Sequence, residues 1–278
     1  MSGILTKLRL KRNQVQVPTE TIPPRQVARE KVPEVRRERA PGVRGEMPAA
    51  REKILVAKGV ERSFNVGGRE LHVLKGLDME LESGQLVMLR GRSGSGKTTL
   101  LNLLGGLDQP TKGEIFFRNQ PFHLLNDDKR TAIRRQQIGF IFQSYALLPL
   151  LSAWENVELS LRMAQVPKSL WKERITRSLE LVGLGKRMHH RPFELSGGEQ
   201  QRVAIAKAIA HKPVLILADE PTAELDSQTG VKVMSVFRDI IHRDHITICM
   251  TTHDPTILEV ADHVYEMVDG TFSSNNPN

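Results

Sequence analysis

The sequence predicts an α/β fold organised around a loop that joins a buried strand to a helix. The loop is residues 91–98, GRSGSGKT, which follow the apolar run 86–89 and precede the helix-forming run 98–104. Further apolar runs end in polar residues, as the strands of open α/β sheets do where they meet a ligand. Residues 144–190 show helical periodicity instead, which predicts a helical lobe inserted into the α/β core.

The loop matches the pattern Gly, four residues, Gly-Lys-Thr, which cradles phosphates. Glycines let the backbone wrap an anion closely, and amides at the helix start add positive potential. We expect Lys97 to reach the β- and γ-phosphates and the Thr98 hydroxyl to hold Mg²⁺. The alternative is an accidental match, with a chance of about 1% in a chain of this length. The predicted nucleotide-binding positions are Gly91, Arg92, Ser93, Gly94, Ser95, Gly96, Lys97, Thr98 and Thr99.

The composition is that of an ordinary soluble protein: 278 residues, with 39% hydrophobic and 26% charged residues. No apolar run approaches the roughly 18 to 20 residues that span a bilayer, and residues 1–10 lack the apolar centre of a signal peptide. The single cysteine, Cys249, excludes an internal disulfide framework. We therefore expect a cytosolic protein that does not cross a membrane by itself.

Residues 1–52 are predicted to be a basic, proline-rich and mostly disordered extension. Residues 1–50 hold 11 Lys and Arg against 5 Glu, or +6 of the net charge of +8, and 6 of the 15 prolines. One interpretation is a solvated extension without function. A second is contact with anionic lipid headgroups, favoured by Ile4, Leu5 and Leu8 beside basic residues. Nucleic-acid binding is the third.

The stretch before the loop predicts a β-layer. Residues 54–57 and 71–81 read as strands on either side of the turn-like run 65–68. Phe64 comes just before that turn, where an aromatic ring could stack on adenine. An isolated Phe is more commonly a core residue, and on these residues alone that interpretation is favoured.

After the loop helix, residues 113–117 and 138–142 predict two further strands. The second ends at Gln143. A polar side chain at the carboxyl end of a strand lies where open α/β sheets place ligands, so Gln143 could touch Mg²⁺ or water. Its alternative is a surface residue that begins a loop.

A second anion-binding surface is predicted at residues 195–202, LSGGEQQR. Ser196 and Glu199 form a capping box for a helix that runs to about residue 210. Adjacent glycines in the first turn cost helix stability, whereas bare amides at a helix start suit an anion. The residues assigned to this surface are Ser196, Gly197, Gly198 and Glu199.

Two later strands deliver acids and a histidine to the same sheet edge. Residues 214–218 lead to Asp219, the usual kind of Mg²⁺ partner, and to Glu220, which could orient and polarise the attacking water. Residues 246–250 lead through two threonines to His253, which could sense the γ-phosphate.

Taken in order, these motifs resemble the ATPase subunit of an ABC transporter, over about residues 54–270. The resemblance favours the functional interpretations of Phe64 and Gln143. By position it assigns Phe64 as the adenine-stacking aromatic, residues 91–98 as the Walker A loop, Gln143 as the Q-loop glutamine, residues 195–199 as the ABC signature, Asp219 and Glu220 as the Walker B aspartate and catalytic glutamate, Asp226 as the D-loop aspartate and His253 as the switch histidine.

The resemblance implies a P-loop NTPase (RecA-like) core with an N-terminal antiparallel β-layer and an inserted α-helical subdomain. It places the ABC ATPase domain at residues 53–278. The RecA-like core would comprise residues 53–143 and 203–278, and the helical subdomain about residues 144–202.

Several short segments are similar to those of the LolD/MacB-like subfamily of lipoprotein release and macrolide export, and FtsE is a related protein. They are LLNLLGGLD at residues 100–108, LLP at 147–149 ahead of ENV at 155–157, and RP at 191–192. Two features depart from that subfamily. Residues 223–226 read AELD where it usually has GNLD, and the N-terminal extension is additional.

The mechanism implied by the resemblance is a head-to-tail homodimer that sandwiches two ATP molecules and drives a separate integral membrane permease of the MacB, LolCE or FtsX type. The chain would lie at the cytoplasmic face of the inner membrane, with ATP and Mg²⁺ as cofactors. The alternatives are an FtsE-like regulatory ATPase and a non-transport ABC ATPase that acts on nucleic acid. The implied roles are catalysis by Glu220, His253 and Gln143, and Mg²⁺ binding by Thr98, Gln143 and Asp219.

Overall fold

The structure is a computed structural model that describes residues 51–273, all within one compact unit. Residues 1–50 lie outside this range. The predicted disorder and lipid contact of the N-terminal extension therefore concern residues that the structure does not describe. The described residues form two β-sheets and the helices that pack around them.

The first sheet is antiparallel and contains the strands that come before the loop. Strands β1 (Lys53–Val66) and β2 (Arg69–Glu82) form a hairpin. The two glycines between them have φ angles of 60° and 81°, the left-handed region that tight hairpin turns require. Strands β4 (Lys112–Phe117) and β5 (Gln120–Pro121) complete the sheet in the order β2-β1-β4-β5.

The second sheet holds six strands in the order β10-β9-β3-β8-β7-β6. Five of them run parallel, and only β10 pairs antiparallel with its neighbour. The strands are β3 (Leu86–Arg90), β6 (Ile138–Ile141), β7 (Leu215–Ala218), β8 (Thr247–Thr252), β9 (His263–Val268) and β10 (Thr271–Phe272).

Six α-helices accompany the sheets within residues 51–273. They are α1 (Lys97–Leu104), α2 (Asp127–Gln137), α3 (Ala153–Met163), α4 (Trp171–Leu181), α5 (Gly197–Ile209) and α6 (Ser227–Asp244). The stretch 144–202 contributes α3, α4 and the start of α5 and holds no strand. A capping box between Ser152 and Glu155 starts α3 and satisfies backbone donors that the first turn leaves free.

The parallel sheet separates two apolar clusters, because alternate residues of β3 face opposite sides. Val87 and Leu89 pack with α1 and the antiparallel sheet. Leu86 and Met88 pack with α3 to α6, including the fully buried Phe237. Both faces of the sheet are thus covered, which explains why β6 and β7 contain only apolar residues and glycine. Among residues 51–273, no helix is both long and apolar enough to cross a bilayer.

Most predicted elements are confirmed, with shifted ends. The predicted helix 98–104 is α1, and the helix predicted to reach about residue 210 is α5. The strand predicted at 246–250 is wrong at its end, because β8 continues through Thr251 and Thr252. These β-branched residues pair with Leu89 and Arg90 of β3, which extends the strand to the sheet edge.

Candidate active site

The loop between β3 and α1 is built so that only glycine fits at two points. Gly96 caps the helix at a φ of 104°, and a Cβ there would lie 2.8 Å from the Leu74 side chain. A Cβ on Gly91 would lie 2.5 Å from the carbonyl oxygen of Met267. The first turn of α1 carries no acidic residue and no side-chain cap, so its amide groups are left for an anion.

Lys97 spans this loop from the first residue of α1. Its Nζ donates hydrogen bonds to the carbonyl oxygens of Gly91, at 2.8 Å, and Arg92, at 3.1 Å. The residue is only 6% exposed. Since an ammonium has three N–H donors, one remains for a phosphate oxygen while these two bonds hold the side chain in place.

Asp219 links the loop to the neighbouring strands. Its Oδ2 accepts a 2.8 Å bond from the Thr98 hydroxyl, and its Oδ1 a 2.7 Å bond from the Thr251 hydroxyl. Thr251 also accepts from the backbone N–H of Glu220 at 2.8 Å. Carboxylate and hydroxyl oxygens are the ligands that Mg²⁺ prefers, so Thr98 and Asp219 fit that ion. No cluster of three or more His, Cys, Asp or Glu suits another metal within residues 51–273.

Glu220 follows Asp219 with an unusual backbone. Its φ of 46° lies in the left-handed region, which non-glycine residues adopt infrequently and often at functional sites. The Glu220 Oε2 lies 3.3 Å from Nδ1 of His253, which follows β8. The Glu220 side chain is 22% exposed and the imidazole 62%, so the pair lies at the mouth of the site.

A cleft of about 630 Å³ gathers these groups. It brings together all the predicted catalytic residues and Mg²⁺ ligands. Its lining is Val73, Arg92, Ser93, Gly94, Gly96, Lys97, Thr98, Thr99, Gln143, Asp219, Glu220 and His253. The other predicted residues are not part of this lining: Phe64, Gly91, Ser95, Ser196, Gly197, Gly198, Glu199 and Asp226.

Gln143 enters the cleft from a loop with two consecutive left-handed residues, Tyr145 at a φ of 61° and Ala146 at 50°. Lys207 of α5 donates a 2.7 Å hydrogen bond from Nζ to the carbonyl oxygen of Ala146. Burial lowers the pKa of Lys207. The loop that carries Gln143 is therefore fastened to the helix that begins at residues 196–199.

The predicted capping box at the start of α5 is confirmed. The Glu199 amide donates to the Ser196 hydroxyl at 3.3 Å, and the Ser196 amide donates to the Glu199 carboxylate at 2.9 Å. The bond from the Ser196 amide is the largest cause of the lowered pKa of Glu199. A Cβ on Gly198 would lie 2.7 Å from Cγ2 of Thr229, so α5 and α6 approach closely here.

Asp226 caps α6 within its own chain. Its carboxylate accepts bonds from the amides of Gln228 and Thr229, both at 3.1 Å, and from the Thr229 hydroxyl at 2.6 Å. The hydroxyl bond is the largest cause of its lowered pKa. Asp226 therefore fixes the start of α6, beside the close contact between Thr229 and Gly198.

Three residues of the site were not predicted from sequence: Val73, Thr251 and Lys207. Thr251 could have been found, because it lies two residues before His253, and side chains two positions apart in extended chain face the same side. Val73 and Lys207 carry no comparable signal, since their contacts join distant parts of the chain.

The family described as "ABC transporter" matches residues 74–223. The chain belongs to the ABC transporter family. It is an ATP-binding ATPase of the LolD/MacB type within that family. Fold and predicted motifs agree with this membership.

Two named ABC relatives illustrate the subfamily. The chain is 43% identical over 241 residues to the lipoprotein-releasing system ATP-binding protein LolD 2 of Rhodopirellula baltica, covering 84% of this chain and 93% of that protein. It is 46% identical over 217 residues to the macrolide export ATP-binding/permease protein MacB of Wolinella succinogenes. That match covers 78% of this chain but only 34% of MacB, so the chain spans about a third of that relative.

A solved ABC cassette shares the fold. The dimeric post-hydrolysis state of the ATP-binding cassette MJ0796, bound to ADP and Pi, superposes with a TM-score of 0.74 at 38% identity. The match covers 79% of this chain and 96% of that one. The protein that carries this name comes from Methanocaldococcus jannaschii.

Proposed function

We propose that the chain is the nucleotide-binding subunit of a LolD/MacB-type transporter, working as an ATP-dependent homodimer on a separate membrane permease. The observation that carries the proposal is that the predicted site residues fall into two groups, only one of which lines the cleft. The cleft holds Lys97, Gln143, Asp219, Glu220 and His253, but the signature residues are not in its lining. A second copy, arranged head to tail, would supply its signature to the open side of this cleft.

The predicted site residues have the following proposed roles. Lys97 and the amides at the start of α1 hold the β- and γ-phosphates. Glu220 orients and polarises the attacking water. His253, whose Nδ1 lies 3.3 Å from Oε2 of Glu220, contacts the γ-phosphate. Thr98 and Asp219, with Gln143 nearby in the lining, hold Mg²⁺, which neutralises charge on the phosphates when bound. Phe64 stacks on the adenine.

The partner is proposed from the relatives' names and from the signature. MacB is named as an ATP-binding and permease protein, and LolD as the ATP-binding part of a releasing system. For this chain we propose a permease of the MacB, LolCE or FtsX type and a peripheral position at the cytoplasmic face of the inner membrane. Contact of residues 1–50 with anionic lipid is a further part of the proposal, supported by their +6 charge.

Capture of the partner tests this function. The Glu220→Gln variant, tagged and loaded with ATP, is used to capture partners from detergent-solubilised membranes of its own organism. We expect a permease to co-purify with Glu220→Gln and not with Lys97→Ala, which cannot hold ATP for closure. Recovery of nucleic acid or ribosomes without a membrane protein would contradict the transport function and leave a non-transport ATPase.

A further inference from the structure

We propose that Arg62 positions the Phe64 ring, on which the adenine stacks. Arg62 thereby also fixes the distance between this ring and the phosphate loop. The inference rests on the proposed role of Phe64 and adds a residue that belongs to none of the predicted motifs. It follows from one connected set of contacts, from Phe64 through Arg62 to Asp108.

The first contact is between Arg62 and the ring of Phe64. The guanidinium carbon lies 4.4 Å from the ring centroid, which is a cation–π contact. Planar guanidinium groups stack on aromatic faces, and here the group covers one face of the ring. A base can therefore take only the opposite face, so Arg62 selects the side on which adenine stacks.

The second contact holds the guanidinium in place. Its Nε donates to Oδ2 of Asp108 at 2.8 Å, and its Nη2 to Oδ1 at 2.9 Å. This is the two-bond arrangement that gives an arginine–carboxylate pair a fixed orientation. The Arg62 and Asp108 side chains are only 23% and 31% exposed, so solvent screens the pair less than it would an exposed one.

Asp108 belongs to the segment that leaves α1, the helix that starts at Lys97. The amides of residues 107 and 108 bond to the carbonyl oxygen of Asn102, in the last turns of α1. Residues 108–111 also bond to the end of β1. The Thr111 amide donates to the Glu61 carbonyl at 2.8 Å, and the Ser63 amide donates to the Thr111 hydroxyl at 3.0 Å. The strand that carries Phe64 is thus fastened to the helix that carries the phosphate lysine.

The hairpin places Phe64 beside the cleft. Phe64 pairs with Leu71, which lies two residues before Val73 on β2, and the β1–β2 pairing is irregular between Arg62 and Ser63. Val73 lines the nucleotide cleft. A base that stacks on Phe64 would therefore lie at the Val73 side of the cleft.

A positioning role for Arg62 affects ligands with a base and ligands without one differently, whereas a general loss of structure would weaken both. Removing the Arg62 guanidinium should weaken ligands that contain a base and spare those that contain only phosphates. ADP and pyrophosphate make this comparison without hydrolysis, since pyrophosphate is the phosphate part of ADP alone. The measurement is calorimetric titration of the full chain with each ligand at fixed Mg²⁺ and salt.

We expect Arg62→Gln to weaken ADP binding by about 2- to 10-fold, the range of a cation–π contact, with pyrophosphate within about 2-fold of wild type. Asp108→Asn keeps the arginine but weakens the ion pair that holds it. This variant should therefore also lower the affinity for ADP relative to that for pyrophosphate. Added to Phe64→Ala, Arg62→Gln should cause no further loss. Arg118→Gln is the matched control, because Arg118 pairs with Glu52 at 2.9 Å on the same sheet.

The remaining outcomes separate two failures. If Phe64→Ala weakens ADP selectively and Arg62→Gln and Asp108→Asn do not, the positioning role is wrong and the proposed site stands. If Phe64→Ala itself leaves the ratio of ADP to pyrophosphate affinity unchanged, adenine does not stack there and both ideas fail. Equal loss of both ligands in Arg62→Gln would indicate a purely structural role and would overturn the proposal.

Discussion

The hydroxyl of Thr98 and the carboxylate of Asp219 lie 2.8 Å apart, although 121 positions separate them in the chain. Thr98 comes from the first turn of α1 and Asp219 from the end of β7. Their contact brings the phosphate loop and the strand that precedes Glu220, the proposed catalytic acid, into one site. Both residues are proposed Mg²⁺ ligands, so the site can be tested through its metal dependence.

Asp219→Asn should weaken the Mg²⁺ dependence of ATP hydrolysis, because a neutral amide replaces a charged ligand. We expect the Mg²⁺ concentration for half-maximal rate to rise by about 10-fold or more. The measurement is a Mg²⁺ titration of the ATPase rate. Asp244→Asn is the control, since Asp244 pairs with Arg177 and does not line the cleft. An unchanged Mg²⁺ requirement in Asp219→Asn would contradict the assignment.

Glu220→Gln should keep ATP binding and slow hydrolysis by about 100-fold or more, because the amide cannot act as a base toward water. Single-turnover hydrolysis and ATP-dependent dimer formation by size-exclusion chromatography measure the two effects separately. Glu114→Gln, an exposed glutamate of β4, is the control. Near-normal turnover of Glu220→Gln would refute the proposed general base.

Gly198→Ala should destabilise the fold, because the new Cβ would lie 2.7 Å from Cγ2 of Thr229. The expected loss is about 1 to 3 kcal/mol of unfolding free energy, typical of overpacking. Urea denaturation measures it. Gly230→Ala is the matched control, since nothing lies within 4 Å of its Cβ, and it should be neutral or stabilising.

The cause of that loss can be tested with the neighbouring residue. Thr229→Ser removes Cγ2 but keeps the hydroxyl that bonds to Asp226. The double variant Gly198→Ala/Thr229→Ser should therefore recover part of the lost stability. If Gly198→Ala is as stable as Gly230→Ala, or the double variant recovers nothing, the steric explanation is wrong.

His211 should make stability depend on pH in the mildly acidic range. Burial lowers its pKa from 6.5 to about 4 in the folded chain, and its Nδ1 is buried without a partner. The unfolded chain then binds more protons between these values, so stability is complete above about pH 6.5 and falls as the pH drops toward 4. We expect a loss of the order of 2 kcal/mol, allowing for partial exposure of the ring.

His211→Gln should flatten this dependence. Urea denaturation at pH 7 and pH 5 gives the difference in unfolding free energy for wild type and variant. His242→Gln is the control, because it removes an exposed histidine of α6 and should leave the pH dependence unchanged. Equal pH dependence in wild type and His211→Gln would exclude His211 as the source.

The local features of the site could be predicted from the sequence, because they depend on neighbouring residues. The Gly-Lys-Thr pattern and the Ser196/Glu199 capping box each act within a few positions. The strand ends that deliver Gln143 and Asp219 follow from apolar runs that stop at a polar residue. The spatial meeting of these pieces follows from one rule, that parallel strands share a carboxyl edge.

Contacts across long distances in the chain could not be predicted. The Arg62–Asp108 pair joins residues 46 positions apart, and no local pattern marks either one. The strand order also has no local signal, since β8 lies between β3 and β7 although it follows both in sequence. The left-handed backbone of Glu220 contradicts the preference of its residue type, because surrounding contacts override it.

The shared strand edge has a consequence for how this chain tolerates change. Lys97, Gln143, Glu220 and His253 all follow the carboxyl ends of strands of one sheet, whose register is fixed by pairing such as Ala218 with Met250. The parts of the connections that lie away from the cleft can lengthen or shorten without altering the site. A slip of one strand by a single residue would turn its side chains to the other face and disperse the site. Changes of length are thus tolerated in those remote parts and not in the strands.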